Sequence, residues 1–335
     1  MSHAHGTRAV LLALAGNGFL TLIKFLAYFV SGSGAMLAEA VHSTADLGNQ
    51  ALLLVGMKKS ERGPSEEFHF GYGKDRFLFA LISAAGIFFV GCGVTVTHGV
   101  HTLLSGARHE AVGWLVPAVL VISFLVDGAV LLSAIKALNA QRRGRSWITF
   151  LRTTEDTTTL AVLFEDGAAS FGVILAALGI TASELLGWHW ADPVAAILIG
   201  ILLGAIALFL GMQNRRYLLD RAVSADVQAR ILAAIRTSGS SVRNVFEVKT
   251  RVIGAEMFTF NADIEFDGTV ISERVLARTD VKAAFDSLKT PEDLDRLLDA
   301  HAKVVVDELG NEVDRIEEAV RTQVPGARFI RIEVD

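Results

Sequence analysis

The chain has 335 residues, 52% of them hydrophobic and only 20% charged, with a single cysteine and a formal net charge of −5; its mean hydropathy is +0.45. A soluble globular chain carries about 25% charged residues, so a wholly soluble protein is disfavoured. The lone Cys92 excludes an internal disulfide and a cysteine-based zinc cage, and the negative balance leaves a nucleic-acid partner without electrostatic support.

The charge is unevenly spread. Residues 1–213 contain 27 Lys, Arg, Asp and Glu, whereas 214–335 contain 40. This division predicts an α-helical membrane domain over 1–213 and a soluble α+β domain over 214–335. Apolar stretches long enough to cross about 30 Å of hydrocarbon fall near 9–31, 34–56, 77–104, 113–138, 157–181 and 193–213, giving six transmembrane helices. The first stretch has the length of a span and no convincing cleavage site, so it reads as a span, not a leader.

Span one carries Asn17 and Lys24, seven residues apart and therefore on one face. Asn17 suits helix–helix hydrogen bonding, and Lys24 suits pairing with a carboxylate. Span two contains AEAVHSTADLGNQ, in which Glu39, His42, Asp46 and Asn49 follow a +3, +4, +3 spacing that lines them along one stripe. A charged residue at mid-bilayer costs roughly 2.5–3.5 kcal/mol on insertion scales, so something must offset these. Glu39 lies near the end of its span, where an interfacial position competes with a functional one. Asn49, like Asn17, reads first as a helix–helix hydrogen bonder. His98, His101 and His109 cluster at the end of span three, a common place for interfacial histidines. Span four carries Asp127. Span five carries the adjacent pair Glu165 and Asp166, whose directions differ by about 100°, so only one of them faces span two.

The connectors fix an orientation. Lys58, Lys59, Arg62, Lys74 and Arg76 lie between spans two and three, Arg142, Arg143, Arg145 and Arg152 between four and five, and Arg215 and Arg216 after span six; the opposite connectors contain only Arg108. By the positive-inside rule both termini are cytoplasmic, and in the absence of a recognisable presequence the default housing is a bacterial inner membrane.

In the tail, Ser224 can cap a helix over 225–237, and strands are expected near 242–253 and 256–266. The stretch 268–289 reads as a loop with a short helix. Thr290-Pro291-Glu292-Asp293 opens a long helix to about 323, and a strand over 327–334 closes the chain. Helices on one face of such strands give a small α+β domain, ferredoxin-like in character.

Imidazole and carboxylate donors together suit Zn²⁺, with Mn²⁺, Fe²⁺ and Co²⁺ as alternatives. Such donors bind metal only when deprotonated, so loading releases protons. The candidate metal residues are His42, Asp46, Asp166, Glu165 and Asp127. No HExxH, Ser-His pairing or phosphate-binding glycine loop is readable, so an enzyme is not expected, and neither is a cofactor. A metal sensor or non-transporting membrane subunit is the rival outside transport. Secondary metal contacts at His69, near Glu66, Glu67 and Asp75, at the lone tail His301, or at His3 and His5 are weaker readings than turn, surface or terminal residues.

The segments SGSGAMLAEAVHSTADLGNQ, HFGYGKDRF, the ED pair opening into GAASFGVILAALG, and ADPVAAILIGILL resemble, in this order, the cation diffusion facilitator family of divalent-metal/proton antiporters. The tail, with IEFDG and the closing VPGARFIRIEVD, is similar to that family's cytoplasmic domain. The resemblance implies a homodimer joined through the cytoplasmic domains, exchanging metal for protons across the bilayer by alternating access. It also implies a site built from spans two and five, with His42 and Asp46 as the span-two pair and Asp166 as the span-five aspartate. The position four residues earlier, a His or Asp in many members, is Val162 here. In this respect the chain resembles the subgroup with Glu-Asp in span five, which includes mitochondrial zinc exporters of animals. The fourth ligand then falls to Glu165, Asp127, Asn49 or water, with Glu165 ranked ahead of Asp127.

Overall fold

The computed structural model describes residues 2–106, 114–142, 157–238 and 241–335, with 144, 146, 147 and 150. The chain divides into two compact units, Met1–Leu218 and Leu219–Asp335.

The first unit consists, among the described residues, of six long helices: α1 (Ser2–Ser31), α2 (Gly34–Ser60), α3 (Asp75–Ser105), α4 (Leu115–Arg142), α5 (Thr157–Leu186) and α6 (Ala191–Leu218). Four of them, α3 to α6, contain stretches long and apolar enough to cross a membrane. The expectation of six such helices is met only in part. The described apolar stretch of α1 is the shorter Gly16–Ser31, and α2 is diluted by its own polar stripe.

Small residues let these helices approach closely. Gly32, at φ +65, makes the left-handed turn between α1 and α2, a conformation that costs glycine little. A Cβ at Gly200 of α6 would lie 2.7 Å from Val96 Cγ2 of α3, and one at Gly179 of α5 would lie 2.5 Å from Ala195 Cβ of α6. Helix α3 is not α-helical throughout, for Ile87–Cys92 form a π turn that periodicity alone does not reveal. The unit's core runs through Ala27, Met36, Val119, Val173, Ala176, Ala196, Ile199 and Leu203.

The N-terminal end of α2 is fixed by a contact far away in sequence. Asp192, in the first turn of α6, accepts from the Ser33 hydroxyl (2.6 Å), the Gly34 amide (2.7 Å) and the Ala35 amide (3.2 Å). A buried carboxylate thus satisfies the orphan donors at a helix N-terminus and meets the positive end of its dipole.

The second unit comprises α7 (Ala225–Ser238), β1 (Val242–Gly254), β2 (Met257–Phe266), α8 (Gly268–Ala277), α9 (Val281–Asp286), α10 (Pro291–Gln323) and β3 (Ala327–Val334). Its sheet has the order β1-β2-β3. The first pair is antiparallel, with Val252 opposite Phe258, and the second is parallel, with Phe260 opposite Ile330. Ile231 and Ile235 of α7 and Ile316 and Val320 of α10 pack on Phe260, Ala262 and Ile264 of β2. The architecture is α+β, but with three strands where a full ferredoxin-like sheet has four.

Residues 268–289 correct the sequence reading: they form two helices where a loop with one short helix was expected. Each starts at an aspartate whose carboxylate accepts from a backbone amide, Asp267 from Thr269 and Asp280 from Ala283. The expected start of α10 is present in full, with Thr290 and Asp293 capping reciprocally and Pro291 in the first turn.

Candidate metal centre

On α2 the predicted stripe forms, and most of it is buried. Glu39 is 0% exposed, His42 2% and Asn49 4%. His42 Nε2 lies 3.4 Å from Asp46 Oδ2, a distance set by their i, i+4 spacing on one helix. Neither ring nitrogen of His42 makes a hydrogen bond, and Asp127 Oδ2 on α4 and Asp166 Oδ2 on α5 are likewise buried without one. Asp46, Asp127 and Asp166 are within electrostatic reach of one another, and His42 of Asp127. Yet no three His, Cys, Asp or Glu side chains among the described residues are gathered tightly enough to hold an ion. Three helices therefore present unpartnered donors toward one region without closing a shell.

On either side of this region along α2 lie two hydrogen-bonded polar layers. Toward the N-terminal end of α2, Lys24 of α1 donates to Glu39 Oε2 (3.0 Å) and to the Ser43 hydroxyl (2.8 Å). The pairing expected for Lys24 is thus made, and Glu39 is fully buried between helices. One turn beyond Asp46, Asn49 Nδ2 donates to both oxygens of Glu165 (2.7 and 2.6 Å), while Ser83 of α3 donates to Asn49 Oδ1 (2.6 Å). Asn49 is an interhelical hydrogen bonder, as its spacing predicts. Glu165, ranked first for the fourth ligand, has its carboxylate engaged by Asn49, and the freer oxygen is that of Asp127.

The secondary histidines are not drawn into such an arrangement. His69 is exposed beside exposed Glu66 and Glu67, and His301 is half-buried on α10. His98 presents an edge to Tyr28 at 6.1 Å between ring centres. His109, Arg108 and the side chains of His3, His5 and Val162 lie outside the described residues. A cavity of about 570 Å³ between α4 and α5 is lined by Phe124, Leu125, Leu132, Phe171 and Ile174, too apolar to conduct a cation.

Residues 10–219 match the model of the cation efflux transmembrane domain. The chain belongs to the cation efflux family. This is the cation diffusion facilitator family of the sequence resemblance, and its members are transporters, not enzymes. Metal tolerance protein C4 of Arabidopsis thaliana is 36% identical over 98% of this chain and 73% of its own length. The mitochondrial proton-coupled zinc antiporter SLC30A9 of Homo sapiens is 33% identical over 98% of this chain and 58% of its own length, so the chain spans little more than half of that relative. The cation-efflux pump FieF of Klebsiella pneumoniae is 28% identical over 83% of this chain and 88% of its own. With mitochondrial animal proteins and a plant protein among these relatives, a bacterial inner membrane is not supported as the housing.

Proposed function

We propose that the chain is a Zn²⁺/H⁺ antiporter, exporting zinc from the cytoplasm by alternating access, with His42, Asp46, Asp166 and Asp127 as ligands. One observation carries the reading: both ring nitrogens of His42 and one oxygen each of Asp127 and Asp166 are buried without hydrogen-bond partners. Each such atom costs about 1–3 kcal/mol if left unpaired. A divalent ion bound through one ring nitrogen of His42 relieves that nitrogen and the two carboxylate oxygens together, and protons neutralise the same carboxylates when the ion has gone. Because the ligands bind metal only when deprotonated, occupancy by zinc and by protons is mutually exclusive, which is the chemical basis of exchange. The printed names of the relatives, a metal tolerance protein, a proton-coupled zinc antiporter and a cation-efflux pump, point the same way.

In this reading α1 to α6 all span the bilayer with both termini cytoplasmic, and the soluble unit joins two copies into a homodimer. Movement of α4 and α5 against α2 closes the shell. Glu165 is engaged by Asn49 and stays outside the set, and the four ligands that the movement gathers are parted again on release. The presence of a single imidazole among the ligands supports a second reading, with Mn²⁺, Fe²⁺ or Co²⁺ as cargo, since oxygen-rich sets favour harder ions.

The test is uptake of Zn²⁺, Mn²⁺, Fe²⁺ and Co²⁺ into proteoliposomes across an imposed pH gradient. Gradient-driven zinc flux that vanishes with Asp46→Ala and Asp166→Ala is expected. Undiminished flux in Asp46→Ala overturns the site, and no flux of any ion from wild-type protein turns the assignment to a non-transporting subunit.

A further inference from the structure

Lys24 is an ammonium inside the helix bundle, 2% exposed, and Glu39 beside it is fully buried. An ion pair out of water is costly to assemble, and replacement by apolar residues is often neutral or stabilising, so its position calls for a reason. The pair lies on the metal-facing stripe: Glu39 precedes His42 by three residues and Ser43, which also accepts from Lys24, follows it. Glu39 Oε1 has no hydrogen-bond partner and is pressed toward α5, where a Cβ at Gly172 would lie 2.7 Å away. An ammonium has three donors, and the described partners take two of them. Its charge also reaches Asp46 and Asp127.

We propose that Lys24 is a positioning residue that acts as a fixed counter-cation, neutralising Glu39 so that this carboxylate stays out of the metal's ligand set. The inference rests on the site proposed above. Without Lys24, Glu39 is a further anion one helical turn from His42, free to hold the ion and to slow its release. Without Glu39, Lys24 is an uncompensated cation at the same distance, and it repels the ion. Removing each partner therefore changes affinity in opposite directions, and removing both cancels the change.

The experiment measures KM and maximal rate for Zn²⁺ uptake into proteoliposomes at a fixed pH gradient, with calorimetric Zn²⁺ binding to the purified full chain as a readout independent of transport. Lys24→Met is expected to lower KM and Kd at least about tenfold and to lower the maximal rate, since one unit charge acting on a divalent ion about 6 Å away changes affinity roughly tenfold even with the screening of water. Glu39→Gln is expected to raise both constants. Lys24→Met combined with Glu39→Gln returns them toward wild type, and Lys24→Arg keeps them there. Since Lys24→Met strands a buried carboxylate, gel-filtration profiles accompany each variant, and the neutral double variant carries the test if the single one does not fold. Shifts of the same sign in the two single variants, or a double variant no closer to wild type than either, overturn the proposal in favour of a purely structural pair. Those outcomes leave the site itself standing; it falls only with retained flux in Asp46→Ala.

Discussion

The two units of this protein both bury charged side chains, and they treat them in opposite ways. In the C-terminal unit Glu312 is fully buried, and it accepts from the Ser241 hydroxyl, from Arg274 at 2.7 Å and from Arg315. Glu308 beside it accepts from Arg278 at 2.8 Å, and its other oxygen, without a hydrogen bond, lies 3.9 Å from the Arg274 guanidinium. In the helical unit Asp127, Asp166 and His42 keep buried atoms with no partner at all. Charges met by arginines hold a structure together; buried atoms that no charge or hydrogen bond meets are a store of affinity for something absent from the chain.

The strongest way to break this comparison is Asp46→Ala. Loss of a ligand is expected to cut zinc flux at least about 100-fold, above the range known for losing only a ligand's supporting partner, while thermal unfolding and elution volume of the full chain stay near wild type. If the variant instead unfolds with its flux per folded molecule intact, the open charges are structural and the contrast fails.

The converse variant is Glu312→Ala. Removing a carboxylate that serves three donors is expected to destabilise the C-terminal unit by about 2 kcal/mol and to lower its calorimetric transition by roughly 5–10 °C, with zinc affinity unchanged. A pH series sharpens the point. Burial alone would push the Glu312 carboxyl up, but the Ser241 hydroxyl and the guanidiniums of Arg274 and Arg315 outweigh it and hold the group below its ordinary range. A depressed carboxyl contributes stability above its unfolded value, about 4.3, and loses it as pH falls through the lower folded value. The stability gap between wild type and Glu312→Gln should therefore be widest near pH 7 and narrow in acid below about pH 4. A gap that does not vary with pH contradicts the assignment.

Two smaller changes probe packing and capping where neither kind of charge is involved. Gly200→Ala places a Cβ against Val96 and should cost about 1–3 kcal/mol by overpacking, read as a lower melting temperature of the helical unit. Thr290→Ala removes one half of the capping box on α10 and should cost about 1 kcal/mol, seen as faster amide exchange over 291–296.

Much of this was legible in the sequence because it depends on local periodicity. The stripe on α2, the boundaries of the long helices and the opening of α10 each follow from spacing and from residues within one or two turns. What periodicity could not supply is any partner chosen across the fold. Lys24 is readable as a paired cation, but its choice of Glu39 over Asp46 or Asp127 is set by how α1 packs on α2. Glu165 and Asp166 are equivalent in one dimension, and only the position of Asn49 separates them. Residues 268–289 were misread because α8 and α9 are short and rely on the single aspartate caps Asp267 and Asp280, a signal that turns share with helix starts.

Asp192 has a mechanical consequence. By gripping Ser33, Gly34 and Ala35 it anchors one end of α2 to α6, so any tilt of α2 that its other contacts permit pivots about that tip. At 1.5 Å of rise per residue, Asp46 rides about 18 Å from that anchor, so a swing of roughly 10° carries it about 3 Å sideways. The travel grows with distance from the pivot, being smaller at Glu39 than at Asp46 and greatest at the end bearing Lys58 and Lys59.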